Sequence, residues 1–322
     1  MTEKVSLERV KELYQKPFLD LIYEAATVHR NHHNPREVQL CTLLSVKTGG
    51  CQEDCSYCPQ AARYQTDVEK HKLLDVDVVL KEAKRAKDEG STRFCMGAAW
   101  REIKDNQDFD NILSMVRGVK DLGLEACCTL GMVSKEQAEK LAEAGLTAYN
   151  HNLDSSEGFY KEIISTRTYQ DRLATLENIS NAGISTCCGG IVGMGETDED
   201  RIQFLHTLAN LETQPESVPI NALVPVEGTP LENQKMIDPF DWIRVIAVAR
   251  ILMPEAMVRL SAGRLQLAKE VQAFAFMAGA NSIFTGEKLL TTDNPDWDID
   301  HKLLSKLGLE PRPSNKEETV NA

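Results

Sequence analysis

The sequence predicts an α/β fold: a (β/α)8 barrel of the TIM type with an N-terminal helical extension and a short disordered C-terminal tail. Three observations lead there. From residue 38 onward, short apolar runs alternate with amphipathic stretches, the pattern of a parallel sheet covered by helices. The alternation repeats eight times, the number that closes a barrel; a doubly wound open sheet is the alternative. The 322 residues are enough for one such unit without disulfide staples.

Residues 1–35 read as helical, with Leu13, Phe18, Ile22 and Ala25 at helical spacing. VQLCTLLSV is the first strand. VDVVLKEAKRAKDEG is a helix stopped by Gly90. STRFCMG, LEACCTLG, LTAYNHNLD, ISTCCGGIVG, SVPINALVP, AMVRLSA and NSIF follow as strands. Between them lie helices, among them SKEQAEKLAEAG with Ser134 as its N-cap, TYQDRLATLENISNAG and DPFDWIRVIAVARILMP. LQLAKEVQAFAFMAG, with its apolar and aromatic stripe, reads as a packing helix. The expected division is an extension over 1–35, a barrel over 36–308 and a polar, frayed tail over 309–322.

The net charge is −13, which argues against nucleic acid or an anionic membrane as partner. No apolar run reaches the roughly 18–20 residues of a membrane span. The first residues, MTEKVSLERVKELYQK, lack the apolar core of a signal peptide and carry acids that a transit peptide avoids. A cytoplasmic location is expected. Nine cysteines in such a chain point to metal ligation or redox chemistry rather than disulfides.

Three of the cysteines sit together as Cys51-Gln-Glu-Asp-Cys55-Ser-Tyr-Cys58, directly after the first strand. Soft thiolates crowded on one loop suit an iron–sulfur cluster. Three ligands rather than four would leave one iron of a 4Fe–4S cluster without a protein ligand. A structural zinc is the alternative, and it would need a fourth ligand from elsewhere. The pattern, with an aromatic before the last cysteine, resembles the signature of the radical S-adenosylmethionine (SAM) superfamily. That resemblance implies SAM bound at the open iron and cleaved by an electron from the cluster. No side chain then acts as the catalytic group, because the cofactors carry the chemistry.

A second set lies late in the strands. Side chains alternate faces along a strand. In LEACCTL the apolar set Leu124, Ala126, Cys128 and Leu130 should meet the helices, which turns Cys127 inward. The same test turns Cys187 inward and Cys188 outward, and places Arg93, Cys95, Met257, Arg259 and Ser261 inside. Cys128, Cys188 and Cys41 read as small buried hydrophobes. On its residues alone, Arg259 reads as the partner of a buried carboxylate, since a charged guanidinium has no free lone pair.

STRFCMGAAW, GLEACCTLG, YNHNLD, TRTYQDRL, GGIVGMGE, ESVPIN, RLSAGR and MAGANSIF together resemble the biotin synthase family, over about 48–292. The resemblance implies insertion of sulfur into dethiobiotin to form biotin. It implies a 2Fe–2S cluster held by Cys95, Cys127, Cys187 and Arg259 as the sulfur donor. It further implies that Asn152 and Asp154 contact SAM, that Arg172 pairs with a SAM carboxylate, and that Asn150 and Asn221 lie near dethiobiotin. His151, on the opposite face from its neighbours, reads as a satisfied structural histidine. The glycines of GGIVGMGE lack the Lys-Ser/Thr of a phosphate loop and read as room for the adenosine. As partners the family implies flavodoxin or ferredoxin as electron donor, iron–sulfur assembly machinery and a homodimer.

Overall fold

The computed structural model describes residues 4–313. Two helices, α1 (Leu7–Gln15) and α2 (Phe18–His32), precede the first strand. Pro17 separates them; its fixed φ suits the start of α2 and its missing N–H could not continue α1. Their apolar faces, with Val10, Leu13, Leu21, Ile22 and Ala25 buried, lie against the outside of the barrel wall.

The wall runs β1 (Glu37–Lys47), α3 (Val76–Asp88), β2 (Arg93–Ala98), α4 (Gln107–Asp121), β3 (Glu125–Thr129), α5 (Lys135–Ala144) and β4 (Ala148–Asn150). It continues with α6 (Glu157–Ile163), α7 (Tyr169–Asn181), β5 (Ser185–Cys187), β6 (Gly190–Val192), α8 (Asp198–Ala209) and β7 (Ser217–Ala222). Then come α9 (Pro239–Leu252), β8 (Met257–Leu260), α10 (Lys269–Met277), β9 (Ser282–Thr285), α11 (Trp297–Leu307) and β10 (Glu310–Pro311). Every pairing between these strands is parallel, in sequence order, and β1 pairs with β9 to close the ring. The eighth-strand count holds once β5 and β6 are taken as two pieces of one predicted strand, ISTCCGGIVG. Gly189 breaks it, where a Cβ would stand 2.0 Å from the carbonyl oxygen of Pro219.

Ser134 does cap α5, in a reciprocal box with Gln137, and Gly90, at φ +91°, follows the end of α3. Two helices escape the sequence reading, α6 and α11. The tail begins more firmly than expected. Glu310 donates to the Arg36 carbonyl at 2.8 Å and Arg312 to that of Val38 at 2.9 Å, so β10 adds to β1. Residues 314–322 of the expected tail lie outside the described residues.

The apolar interior is divided. Two large clusters fill the space between wall and helices, one containing Cys188 and the other Cys128. A third, small cluster of Cys95, Cys127 and Ala148, with Leu43 and Phe284, lies within the ring. The alternation argument is therefore correct for both cysteine pairs. Among the described residues no helix is long and apolar enough to cross a membrane.

Candidate functional site

Residues 48–62 form a compact loop at the C-terminal mouth of the barrel. Gly49 and Gly50, at φ +74° and +70°, turn the chain out of β1, a conformation other residues resist. Cys51 donates to the Gln60 carbonyl at 3.0 Å and Cys58 to that of Cys55 at 2.9 Å. Asp54 anchors the loop from outside: its carboxylate accepts from the backbone of Ser165 at 2.9 Å and of Thr166 at 3.1 Å. All three loop cysteines are free thiols. Burial pushes Cys55 up to about 12 and Cys58 to about 11, so as bare thiols they stay protonated and a bound cation is what would ionise them.

The loop cysteines line one wall of a cavity of about 310 Å³ that also receives Asn150, Asn152, Asp154, Arg172 and Asn221. Sequence-distant site residues thus converge. Asp154 has φ +68°, the one non-glycine residue in the left-handed region among the described residues. Its carboxylate accepts from Tyr57 Oη at 2.7 Å and pairs with Arg172. Arg172 is buried and stacked over Tyr160 at 5.3 Å. Asn152 Oδ1 accepts from the Gly189 amide at 3.1 Å. Asn221 is held at both ends of its amide, donating to the Gly190 carbonyl at 2.9 Å and accepting from Ala262 at 3.1 Å.

Below the cavity, Asn150 Nδ2 donates to Cys187 Sγ at 3.3 Å, linking mouth to lumen. There Cys95 and Cys127 are registered opposite each other on β2 and β3. A hydrogen bond between the two thiols pushes Cys95 up and pulls Cys127 down. Arg259 Nη1 points at Cys187 Sγ, 3.6 Å away. Its Nε donates to Ser282 Oγ at 2.9 Å and Nη2 to Gln39 Oε1 at 3.2 Å, and its guanidinium lies 4.9 Å from the Phe284 ring centre. Among the described residues no carboxylate pairs with Arg259. The expected carboxylate partner belongs instead to Arg93, which binds Glu125 at 2.8 Å and Glu216 at 2.9 Å on the floor of the barrel.

This electrostatic arrangement tests the fit of the implied groups. A buried guanidinium surrounded by neutral groups is costly. Three thiolates on a 2Fe–2S core would carry one net negative charge and balance it. Among the described residues no three His, Cys, Asp or Glu side chains crowd closely enough to share a single metal ion. A tetrahedral zinc needs that crowding, whereas a cluster spreads its cysteines over several irons. The loop set, three thiols on one wall of the cavity, has the donor chemistry a cluster takes.

Three further sequence readings change. His151 is not satisfied: Nε2 is buried without a partner, and the ring borders the cavity. Burial holds its imidazole neutral, well below the usual range. Of the glycines of GGIVGMGE, Gly190 makes room for the protein's own chain, since a Cβ there would stand 2.5 Å from the Asp154 carbonyl oxygen. Cys41 is buried as expected but faces the lumen, 3.8 Å from Ser282 Oγ. The alternation test on β1 finds Gln39, Cys41 and Leu43 on one face; the run of apolar letters around them hid it.

The fold and the cysteine loop define a radical SAM enzyme. Residues 45–208 match the Radical SAM superfamily model, and residues 219–310 match the Biotin and Thiamin Synthesis associated domain. The chain is 62% identical over 309 residues to the biotin synthase of Cytophaga hutchinsonii, covering 96% of this chain and 92% of that protein. It is 61% identical over 312 residues to that of Myxococcus xanthus, covering 97% and 90%. With the mitochondrial biotin synthase of Arabidopsis thaliana it shares 57% over 314 residues, covering 97% and 83%. The chain belongs to the biotin synthase family, and its activity is biotin synthesis by radical SAM chemistry. Among solved structures, methylornithine synthase (PylB) matches with a TM-score of 0.83 at 18% identity, covering 99% of this chain and 97% of that one. The FeFe-hydrogenase maturase HydG from Carboxydothermus hydrogenoformans matches with a TM-score of 0.79 at 17% identity, covering 96% and 76%. At those identities the likeness is one of fold.

Proposed function

We propose that Cys51, Cys55 and Cys58 hold the 4Fe–4S cluster, that Cys95, Cys127, Cys187 and Arg259 hold a 2Fe–2S cluster, and that dethiobiotin is converted to biotin between them. The observation that carries this reading is continuity. One cavity touches the loop cysteines, and its inner end, at Leu43, Asn150 and Phe284, rests on the lumenal cysteines. Bound there, the first cluster supplies the electron that cleaves SAM and the second supplies the sulfur that enters biotin.

The chain's own residues bind, orient and exclude water. Asp154 and Asn152 offer acceptors to the hydroxyl and amino groups of SAM. Arg172 acts through Asp154: it is buried against that carboxylate, fixes its direction, and leaves its second oxygen to the ligand. Asn150 on β4 and Asn221 on β7 both border the cavity, and an amide matches a ureido ring in offering donor and acceptor together. The packed lumen keeps water from reactive carbon centres. Arg259 is aimed at the sulfurs by its hydrogen bonds to Ser282 and Gln39.

The half-buried Cys51 and Cys58 place the loop site near the surface, which supports electron delivery there by flavodoxin or ferredoxin. Free thiols at every cysteine support a reducing, cytoplasmic compartment and loading by iron–sulfur assembly machinery. Exposed Leu19, Tyr23 and Phe240 support a homodimer. The test is anaerobic reconstitution with iron and isotopically labelled sulfide, followed by incubation with dethiobiotin, SAM and reductant. Label in biotin is the expected result. Unlabelled biotin, with the label retained on the protein, refutes the donor role; failure to cleave SAM refutes the whole assignment.

A further inference from the structure

The lumen contains a fourth thiol that the reaction as described leaves unused. Cys41 is completely buried, yet it belongs to neither apolar cluster between wall and helices. On β1 it pairs in register with Arg93 on one side and Phe284 on the other. The Phe284 ring is the one that carries the Arg259 guanidinium. Cys41 Sγ lies 3.8 Å from Ser282 Oγ, the same oxygen that accepts from Arg259 Nε at 2.9 Å. Cys41 and Arg259 therefore share two neighbours on β9, Ser282 and Phe284, and Cys41 lies on the same face of β1 as Leu43, which is registered against Cys95.

We propose that Cys41 is a reserve iron ligand of the deep site, able to take the coordination position assigned to Arg259. The inference rests on the two-cluster reading above. Its chemical basis is the contrast between the two groups. A thiolate is a far better iron ligand than a guanidinium, which must lose a proton before it has a lone pair to give. The exchange balances without any oxidant or reductant. The bond between iron and the Arg259 nitrogen breaks, a bond between iron and Cys41 Sγ forms, and the thiol proton passes to the guanidine. Arg259 then stays beside the site as a cation, where it offsets the added thiolate. Sulfur insertion strips the deep site of sulfide in each turnover, and a fourth thiol within it retains iron that three cysteines would lose.

The experiment compares wild type, C41A, R259M and the double variant R259M/C41A, each reconstituted anaerobically. Iron and sulfide per chain, visible absorption and resonance Raman bands of iron–thiolate stretching are the readouts. R259M is expected to keep the wild-type iron content, with stronger iron–thiolate bands. R259M/C41A is expected to lose about a third of the iron, the share of a two-iron centre beside a four-iron one. If the double variant keeps as much iron as R259M, or if R259M alone has already lost the deep share, Cys41 is not a ligand. R259K repeats the comparison with the cation kept, should far-UV circular dichroism show R259M unfolded. Wild-type protein that takes up only the loop iron overturns the two-cluster reading itself, an outcome distinct from failure of the Cys41 inference.

Discussion

The two cysteine sets proposed to hold clusters are built on opposite plans. The loop centre takes its three thiols from eight consecutive residues, and its shape comes from short-range hydrogen bonds and the Asp54 clamp. The lumenal centre takes Cys95, Cys127, Cys187 and Arg259 from β2, β3, β5 and β8, over 160 residues of chain. Their side chains face one another because the ring closes. The lesson is that the loop site is a local structure set on the barrel, whereas the deep site is a property of the closed barrel and cannot exist without it. A change at the first should alter chemistry and leave stability nearly intact. A change around the second should alter both.

The largest effect separates the two centres by function. Cys51→Ala should abolish SAM cleavage, a loss of more than about a thousandfold, while shifting unfolding free energy by less than about 1 kcal/mol. Cys187→Ala should still cleave SAM to methionine and 5′-deoxyadenosine but form no biotin. Product analysis by chromatography, with denaturant unfolding alongside, checks both. If Cys187→Ala loses SAM cleavage as completely as Cys51→Ala, the centres are not separable in this way.

Asp154→Asn probes the bridge between them. Asparagine tolerates the left-handed backbone that Asp154 adopts, so the change removes charge rather than shape. It leaves Arg172 buried without its anion. Stability should fall by about 3 kcal/mol, and the KM for SAM should rise about tenfold or more. A KM that stays put would mean that Asp154 serves the fold alone.

Why the sequence disclosed so much follows from the same contrast. The loop cysteines are legible because their neighbours in space are their neighbours in sequence. The strand-borne residues proposed as ligands are legible one step further on, through period-two alternation. That test separates Cys127 from Cys128 and Cys187 from Cys188, each outward thiol lying in a helix-facing cluster. It fails where both faces of a strand are apolar, and so Cys41 passed for packing. The partner exchange on the barrel floor was not legible either. Arg93 and Arg259 are both lumenal arginines, but only the three-dimensional ring decides that Glu125 and Glu216 lie beside the first. His151 shows a third limit: whether a buried ring nitrogen finds a partner is a matter of ångströms, not of pattern.

The floor gives the next test. Arg93→Met leaves Glu125 and Glu216 facing each other without their cation. Both carboxylates retain some contact with solvent, so the cost falls short of a fully buried pair, at about 2–3 kcal/mol. Because the floor lies in the ring, anaerobic reconstitution of this variant should show weaker retention of the lumenal cluster than of the loop cluster. Equal retention of both would break the link drawn here between ring closure and the deep site.

The smallest effect comes from outside the ring. His29 on α2 is buried, with Nε2 unpartnered. Burial, reinforced by Arg250 nearby, lowers its pKa from 6.5 to about 3. The folded state thus binds fewer protons than the unfolded one across that window. The stability contribution is complete above pH 6.5 and is lost as pH falls toward 3. By pH 5 the loss reaches about 2 kcal/mol. His29→Leu should flatten the dependence of the melting temperature of the metal-free protein on pH between those limits, since a neutral side chain has no proton to take up. The α2 helix rests on α9 and thereby on β7 and β8, the part of the wall that carries Arg259. Acidification from pH 7 to 5 lowers the thiolate fraction of both sets and slows both, but the ratio of lumenal to loop reactivity toward a thiol reagent should rise in wild type and much less in His29→Leu. If the loop and lumenal thiols respond alike, the outer helix supports the whole barrel rather than the wall behind the deep site.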